Sequence, residues 1–133
     1  MILVSVMYPG GENASFDESY YLGTHIPLLR KRWTPMGLEE VHLVKGTGTL
    51  DGSPPPYRVM ALLRFRSLQD FRAAAGAHGA EIFADIPKFT NVQPILQITD
   101  MIEVSRAYER MVKIIDQTSD LDRQAIERLG RVA

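Results

Sequence analysis

Along this chain the hydrophobic positions switch between a two-residue and a helical period, and the switches mark the predicted elements. Residues 2–8, ILVSVMY, are rich in β-branched and aromatic side chains and stop at Pro9-Gly10-Gly11, the pattern of a strand buried on both faces. Ser15-Phe16-Asp17-Glu18 fits a capping box, in which hydroxyl and carboxylate satisfy free backbone N–H groups, so a helix is predicted to start there. Leu22, Ile26, Leu29 and Trp33 follow at spacings of four, three and four, the stripe of a helix lying on a sheet, and Pro35 and Gly37 end it. Residues 38–46 alternate as a second strand, and the Gly- and Pro-rich run 46–56 is a long connection. In residues 57–66 Val59, Ala61, Leu63 and Phe65 face one way and Arg58, Met60, Leu62 and Arg64 the other, which is a third strand.

Ser67-Leu68-Gln69-Asp70 is a second capping signature; Leu68, Phe71, Ala75 and His78 keep helical spacing up to Gly79, the expected stop. Residues 80–87 would add a short turn, and residues 91–99 read as a fourth strand. Pro94 within it cannot donate to a ladder, which puts that strand at a sheet edge. The order β-α-β-β-α-β predicts an α+β, ferredoxin-like fold with two helices over one face of an antiparallel sheet. The other face, carrying Met60 and Leu62, would be bare in one subunit; a homodimer or higher homo-oligomer, sheet against sheet around a cavity, is the expected remedy. The domain expected over residues 1–100 is followed at 101–133 by a C-terminal helical extension, striped by Val104, Tyr108, Met111 and Ile115 and then by Leu121, Ala125 and Leu129.

Composition narrows the function classes. With 133 residues, 45% hydrophobic and 23% charged, the chain suits one core, and a net charge of -1 gives no footprint for a phosphate backbone, so nucleic acid is not an expected partner. No cysteine is present, which excludes disulfides, thiolate chemistry and cysteine-held metals. The apolar N-terminus lacks a basic lead-in and a small-residue cleavage site, and no apolar run reaches ~18 residues. A cytoplasmic protein with no membrane partner is therefore expected. His25, His42 and His78 fall on separate elements without His-x-x-x-His spacing, so no metal is expected, and a haem held by His78 is set aside.

Several stretches carry a family resemblance: VSVMYP, FDESYYLGTHIPLL, the PPY before the third strand, and SLQDFRAAAGAHGAEIFADIPKFTNVQPILQI. Its most specific element is Thr24-His25-Ile26-Pro27, backed by Ala84-Asp85-Ile86-Pro87 and Gln93-Pro94. Over residues 1–100 the chain resembles the ethyl tert-butyl ether degradation (EthD) family. The resemblance implies a dimeric α+β barrel closing around a pocket, and enzymes, such as a methylmuconolactone isomerase and polyketide dehydratases, that use no metal or organic cofactor. Where that family often has Tyr-Thr-Asp, this chain has Phe89-Thr90-Asn91 and lacks the carboxylate.

On a helical wheel His25 falls at the edge of the Leu22-Ile26-Leu29-Trp33 stripe, with Tyr21 one turn earlier, while Pro27 and Gly23 permit a kink that aims the imidazole inward. With an ordinary pKa near 6.5 it suits proton transfer, with Tyr21 assisting; equally, it is a satisfied core residue. Tyr20 orients a substrate oxygen or packs. Trp33 is a pocket wall or a core residue with its indole N–H on a carbonyl. His78 is a pocket residue or a charged group at a helix end. Ser5, Met60 and Gln97 reach a ligand only if their strand faces point into the cavity, which alternation alone leaves open. Three readings follow: a cofactor-free enzyme moving a proton with His25 on a small hydrophobic, oxygenated molecule such as a lactone, aromatic polyketide or catabolic intermediate; a non-catalytic module that binds such a molecule; and an oligomeric structural partner with a filled barrel.

Overall fold

The computed structural model describes residues 1–100, which make up one compact unit. The predicted helical extension at 101–133 lies outside the described residues. Four antiparallel strands, β1 (Ile2–Pro9), β2 (Leu38–Lys45), β3 (Tyr57–Phe65) and β4 (Ile95–Asp100), form one sheet in the order β2-β3-β1-β4. Helix α1, made of the consecutive turns Glu18–Tyr20, Tyr21–His25 and Ile26–Trp33, joins β1 to β2, and helix α2 (Leu68–Asp85) joins β3 to β4. This is the predicted ferredoxin-like α+β order, with β4 at an edge and Pro94 just ahead of the strand instead of within it.

The core lies between helices and sheet. Val4, Leu63 and Phe65 are fully enclosed there, joined by Leu29, Trp33, Phe71 and Ile82 from the helices. β1 is not buried on both faces: Ile2, Val4, Val6 and Tyr8 are buried, whereas Leu3, Ser5 and Met7 are half-exposed, because the helices cover only one side. Among the described residues nothing covers the other face, as expected. β4 contributes no residue to the buried core and is held by its ladder to β1.

Helix α1 departs from the expected geometry in its first turns. Its cap is Asp17, whose side chain accepts from the Tyr20 N–H, and the helix begins at Glu18; Ser15 instead donates its backbone N–H to Asn91. The α-helical turn Glu18–Tyr20 passes into a π-helical turn, Tyr21–His25, and then into the α-helical stretch Ile26–Trp33. The Ile26 N–H bonds the Tyr21 carbonyl five residues back. A proline in an α-helix meets the carbonyl four residues before it; widening this turn accommodates Pro27 without a break. Gly23 is not what makes room, since a Cβ there would meet nothing within 4 Å.

The wide turn also rotates the helix faces. Leu22, expected in the stripe, is 55% exposed, while Tyr21, His25, Ile26, Leu29 and Trp33 face the core. Gly37, at a φ of 108°, then ends the turn Thr34–Met36; a Cβ there would sit 2.8 Å from the Asp70 carboxylate, so glycine is required. Helix α2 does not stop at Gly79 but runs on to Asp85, so His78 sits half-buried in its interior and not at its end. An interior glycine costs only about 1 kcal/mol, less than the packing of Ile82 and Ile86 beyond it supplies.

The π turn makes a direct prediction for urea-unfolding midpoints. Leu29→Ala should cost about 2–4 kcal/mol, and Leu22→Ala less than about 0.5 kcal/mol. Comparable losses at both positions would restore the regular stripe.

Candidate functional site

The π turn and the far end of α2 bring together residues sixty positions apart. His25 is 2% exposed and its Nδ1 lies 3.0 Å from Oδ2 of Asp85, itself 7% exposed. The Tyr20 hydroxyl donates to the other carboxylate oxygen at 2.7 Å, and the Lys88 ammonium lies 3.6 Å from that same oxygen. The imidazole is stacked on the Tyr21 ring, centroids 5.6 Å apart, and touches Phe89 at 4.6 Å. Tyr8 and Phe16 complete the aromatic wall.

Burial lowers the His25 pKa below its ordinary 6.5 and outweighs the hydrogen bond and charge of Asp85, which favour the proton. Burial pushes the Asp85 carboxyl the other way, but the hydrogen bonds from Tyr20 and His25, with the charges of His25 and Lys88, hold it below the usual value. The pair at neutral pH is therefore neutral imidazole and carboxylate. A carboxylate only accepts, so Nδ1 carries the hydrogen and Nε2 presents a lone pair. Among the described residues Nε2 has no hydrogen-bond partner. The Tyr20 hydroxyl is pushed up mainly by its bond to Asp85, and the Tyr21 hydroxyl by burial. Tyr21 Oη is buried without a partner among the described residues, an orphaned donor beside the imidazole stack.

His25 lines a cavity of about 20 Å³ on the helix side of the sheet, with Tyr8, Tyr21, Trp33, Ile86 and Leu96 among its walls. That is room for one water. A groove of about 910 Å³ runs alongside, bounded by residues 15–17 and by residues 83–96. Phe83, Ile86 and Leu96 belong to both.

The structure thus divides the expected site residues. His25, Tyr20 and Tyr21 come together, and Trp33 lies in the same core with its Nε1 donating to the Ala74 carbonyl at 2.9 Å. Ser5, Met60 and Gln97 lie on the opposite, bare face: Ser5 pairs across the sheet with Leu62 and Gln97, and Met60 with Met7. The imidazole therefore does not point into a chamber between two sheets; its helix lies over the other face. His78 lines neither the cavity nor the groove. Asp85 is the residue sequence reasoning passed over. A signal for it exists, because His25-Ile26-Pro27 and Asp85-Ile86-Pro87 repeat one pattern, an ionisable residue and an isoleucine turned inward before an exposed proline. Among the described residues no three His, Asp or Glu side chains are grouped to hold a metal, and no helix is long and apolar enough to cross a membrane.

An EthD-like protein from Ralstonia eutropha JMP134 superposes with a TM-score of 0.71 and is 36% identical, over 76% of this chain and 91% of that one. The chain belongs to the EthD-like family. An EthD family protein from Bacillus halodurans C-125, 21% identical, shares the fold with a TM-score of 0.63 over 77% of this chain and 99% of the other. A second likeness begins inside the EthD-like unit. Residues 88–128 match the C-terminal family model of the flagellar basal body rod FlgEFG proteins. The flagellar basal-body rod protein FlgF of Caulobacter vibrioides is 45% identical over 53 residues, 40% of this chain; the match spans only 22% of that protein's length. Residues 88–94 and all of β4, part of the compact unit 1–100, therefore lie within the stretch that matches the flagellar model.

The buried pair fixes a sign for stability against pH. Unfolded His25 takes up its proton near pH 6.5 while the native residue resists it, so stability falls as pH drops below about 6.5 and is unaffected above. Asp85 acts lower: its contribution is complete above 3.8 and is lost as pH falls through its lowered native value. His25→Gln should flatten the upper window of a urea-midpoint profile and leave the fall below pH 4.

Proposed function

We propose that the EthD-like unit is a cofactor-independent enzyme that moves a proton on a small apolar molecule bearing a carbonyl. The observation that carries this reading is the hydrogen-bonded chain from half-buried Tyr20 through buried Asp85 to buried His25, whose Nε2 has no hydrogen-bond partner among the described residues. Asp85 selects the tautomer and would stabilise the imidazolium formed when Nε2 takes a proton from carbon. The orphaned Tyr21 hydroxyl would donate to the carbonyl oxygen as it becomes an enolate. In an isomerisation the proton returns to another carbon; in a dehydration it leaves with the departing hydroxide as water. The walls of Tyr8, Phe16 and Phe89 suit a flat, unsaturated substrate. Tyr20 and Asp85 position His25, and Trp33 packs behind it. Ser5, Met60, His78 and Gln97 have no part in this reading.

With a substrate found by mass spectrometry of small molecules that co-purify with the protein, His25→Gln and Asp85→Asn should each lower kcat by about 10²–10⁴-fold. The acid limb of kcat/KM should lie below 6.5, where the neutral base is lost. Unchanged turnover in His25→Gln with intact binding would dismiss the catalytic role; loss of binding alone would leave a ligand-binding module.

The flagellar likeness favours a second role, for the C-terminal third. We infer that residues 88–128 include an assembly segment, to which the apolar sequence positions Val104, Tyr108, Met111 and Ile115 contribute, and that it attaches the EthD-like unit to a flagellar rod-type protein. Isothermal titration of the full chain against purified Caulobacter vibrioides FlgF should give saturable binding. Val104→Asp with Met111→Asp should weaken it at least about tenfold, as expected when buried apolar anchors are lost. Absence of heat with the native chain would remove this role and leave the enzymatic reading untouched.

A further inference from the structure

The His25 cavity has room for one water and not for a substrate, while the neighbouring groove is large enough for one. What separates them is a short wall. Of the three residues shared by both spaces, Ile86 is buried and carried by the backbone beside Asp85, whereas Phe83 is 40% and Leu96 38% exposed. Large apolar side chains half in water at the boundary of an apolar void lose little when they move, because they leave few packed contacts behind. The ring of Phe83 lies over Gly79, one turn earlier on α2, whose lack of a side chain leaves only van der Waals contact beneath it. Leu96 sits on β4, the strand that gives nothing to the buried core.

The groove offers mainly apolar contact. Two polar side chains of its loop are occupied with the loop: Thr90 Oγ1 donates to the Ser15 carbonyl and accepts from the Val92 N–H, and the Asn91 amide spans the Ser15 N–H and the Asn13 carbonyl. Asp17 caps α1. Phe16, Phe83, Pro87, Val92, Pro94 and Leu96 are left to meet a ligand, with Lys88 and Gln93 as the polar groups among them.

We propose that this groove receives a flat, apolar ligand and that Phe83, with Leu96, is the gate through which its reacting end reaches Nε2 of His25. Phe83 is then a specificity-determining residue, setting the width of what passes. The ligand class rests on the proton-transfer reading above, but the gate does not, and it is testable without a substrate. Diethyl pyrocarbonate acylates neutral imidazole nitrogen, and peptide mass spectrometry separates His25 from the exposed His42, which serves as internal reference. In the full-length protein at pH 7, Phe83→Ala should speed modification of His25 relative to His42 by at least about tenfold and Phe83→Trp should slow it by about threefold or more, as expected for a local opening. Opposite responses to the smaller and larger ring establish the gate. Equal rates in all three proteins, or acceleration in both variants, overturn it, since the latter would report general loosening. A catalytically silent His25→Gln would end the enzymatic reading and leave this result standing.

Discussion

The hydrogen bond between His25 and Asp85 ties the first helix to the end of the second, and the rest of the site is arranged around it. A neutral imidazole and a carboxylate removed from water are costly unless each has its partners. Here Asp85 accepts from His25 and from Tyr20, and the Lys88 ammonium lies close by. The π turn exists in the same economy of geometry: it accommodates Pro27 and turns both Tyr21 and His25 to the core side, where a regular α-helix would have put Leu22 in the stripe. One irregular turn thus supplies the inward base and its stacking partner, and π turns in helices recur at functional sites.

The sheet separates two kinds of surface. Its helix side holds the core, the imidazole and the small cavity. Its other side is bare among the described residues and carries rows such as His42, Leu62, Ser5 and Gln97 across four strands. A chemistry that uses His25 cannot draw on Ser5, Met60 or Gln97 from the same chain, because successive side chains in a strand point to opposite faces. Any role of the bare face in self-association is accordingly independent of what happens at the imidazole.

The segment from residue 88 to residue 100 does more than end the domain. It forms one bank of the groove, provides Leu96 to the wall before His25, and pairs as β4 along β1 without entering the buried core. It also begins the stretch that matches the flagellar rod-type model while still belonging to the compact unit 1–100. A strand held by its ladder tolerates a changed sequence more readily than one whose side chains fill a core. That is a physical reason why one stretch can satisfy both patterns.

The periods of two and 3.6, with the Ser67 cap and the glycine at 37, were enough to determine the element order, the α+β class and which faces of β3 and of the later turns of α1 are buried. Such features rest on local sterics and on burial averaged over several residues. His25 and Tyr21 were legible as candidates for the same reason, being near the apolar stripe. The tertiary structure alone decided the rest. That Leu22 is outside and His25 fully inside follows from a five-residue turn that no periodicity encodes. That α2 passes through Gly79 follows from packing beyond it that exceeds a local preference. Asp85 became a partner because the π turn inside α1 and the end of α2 meet over the sheet, an encounter between residues far apart in sequence, and their shared Ile-Pro pattern carries no distance.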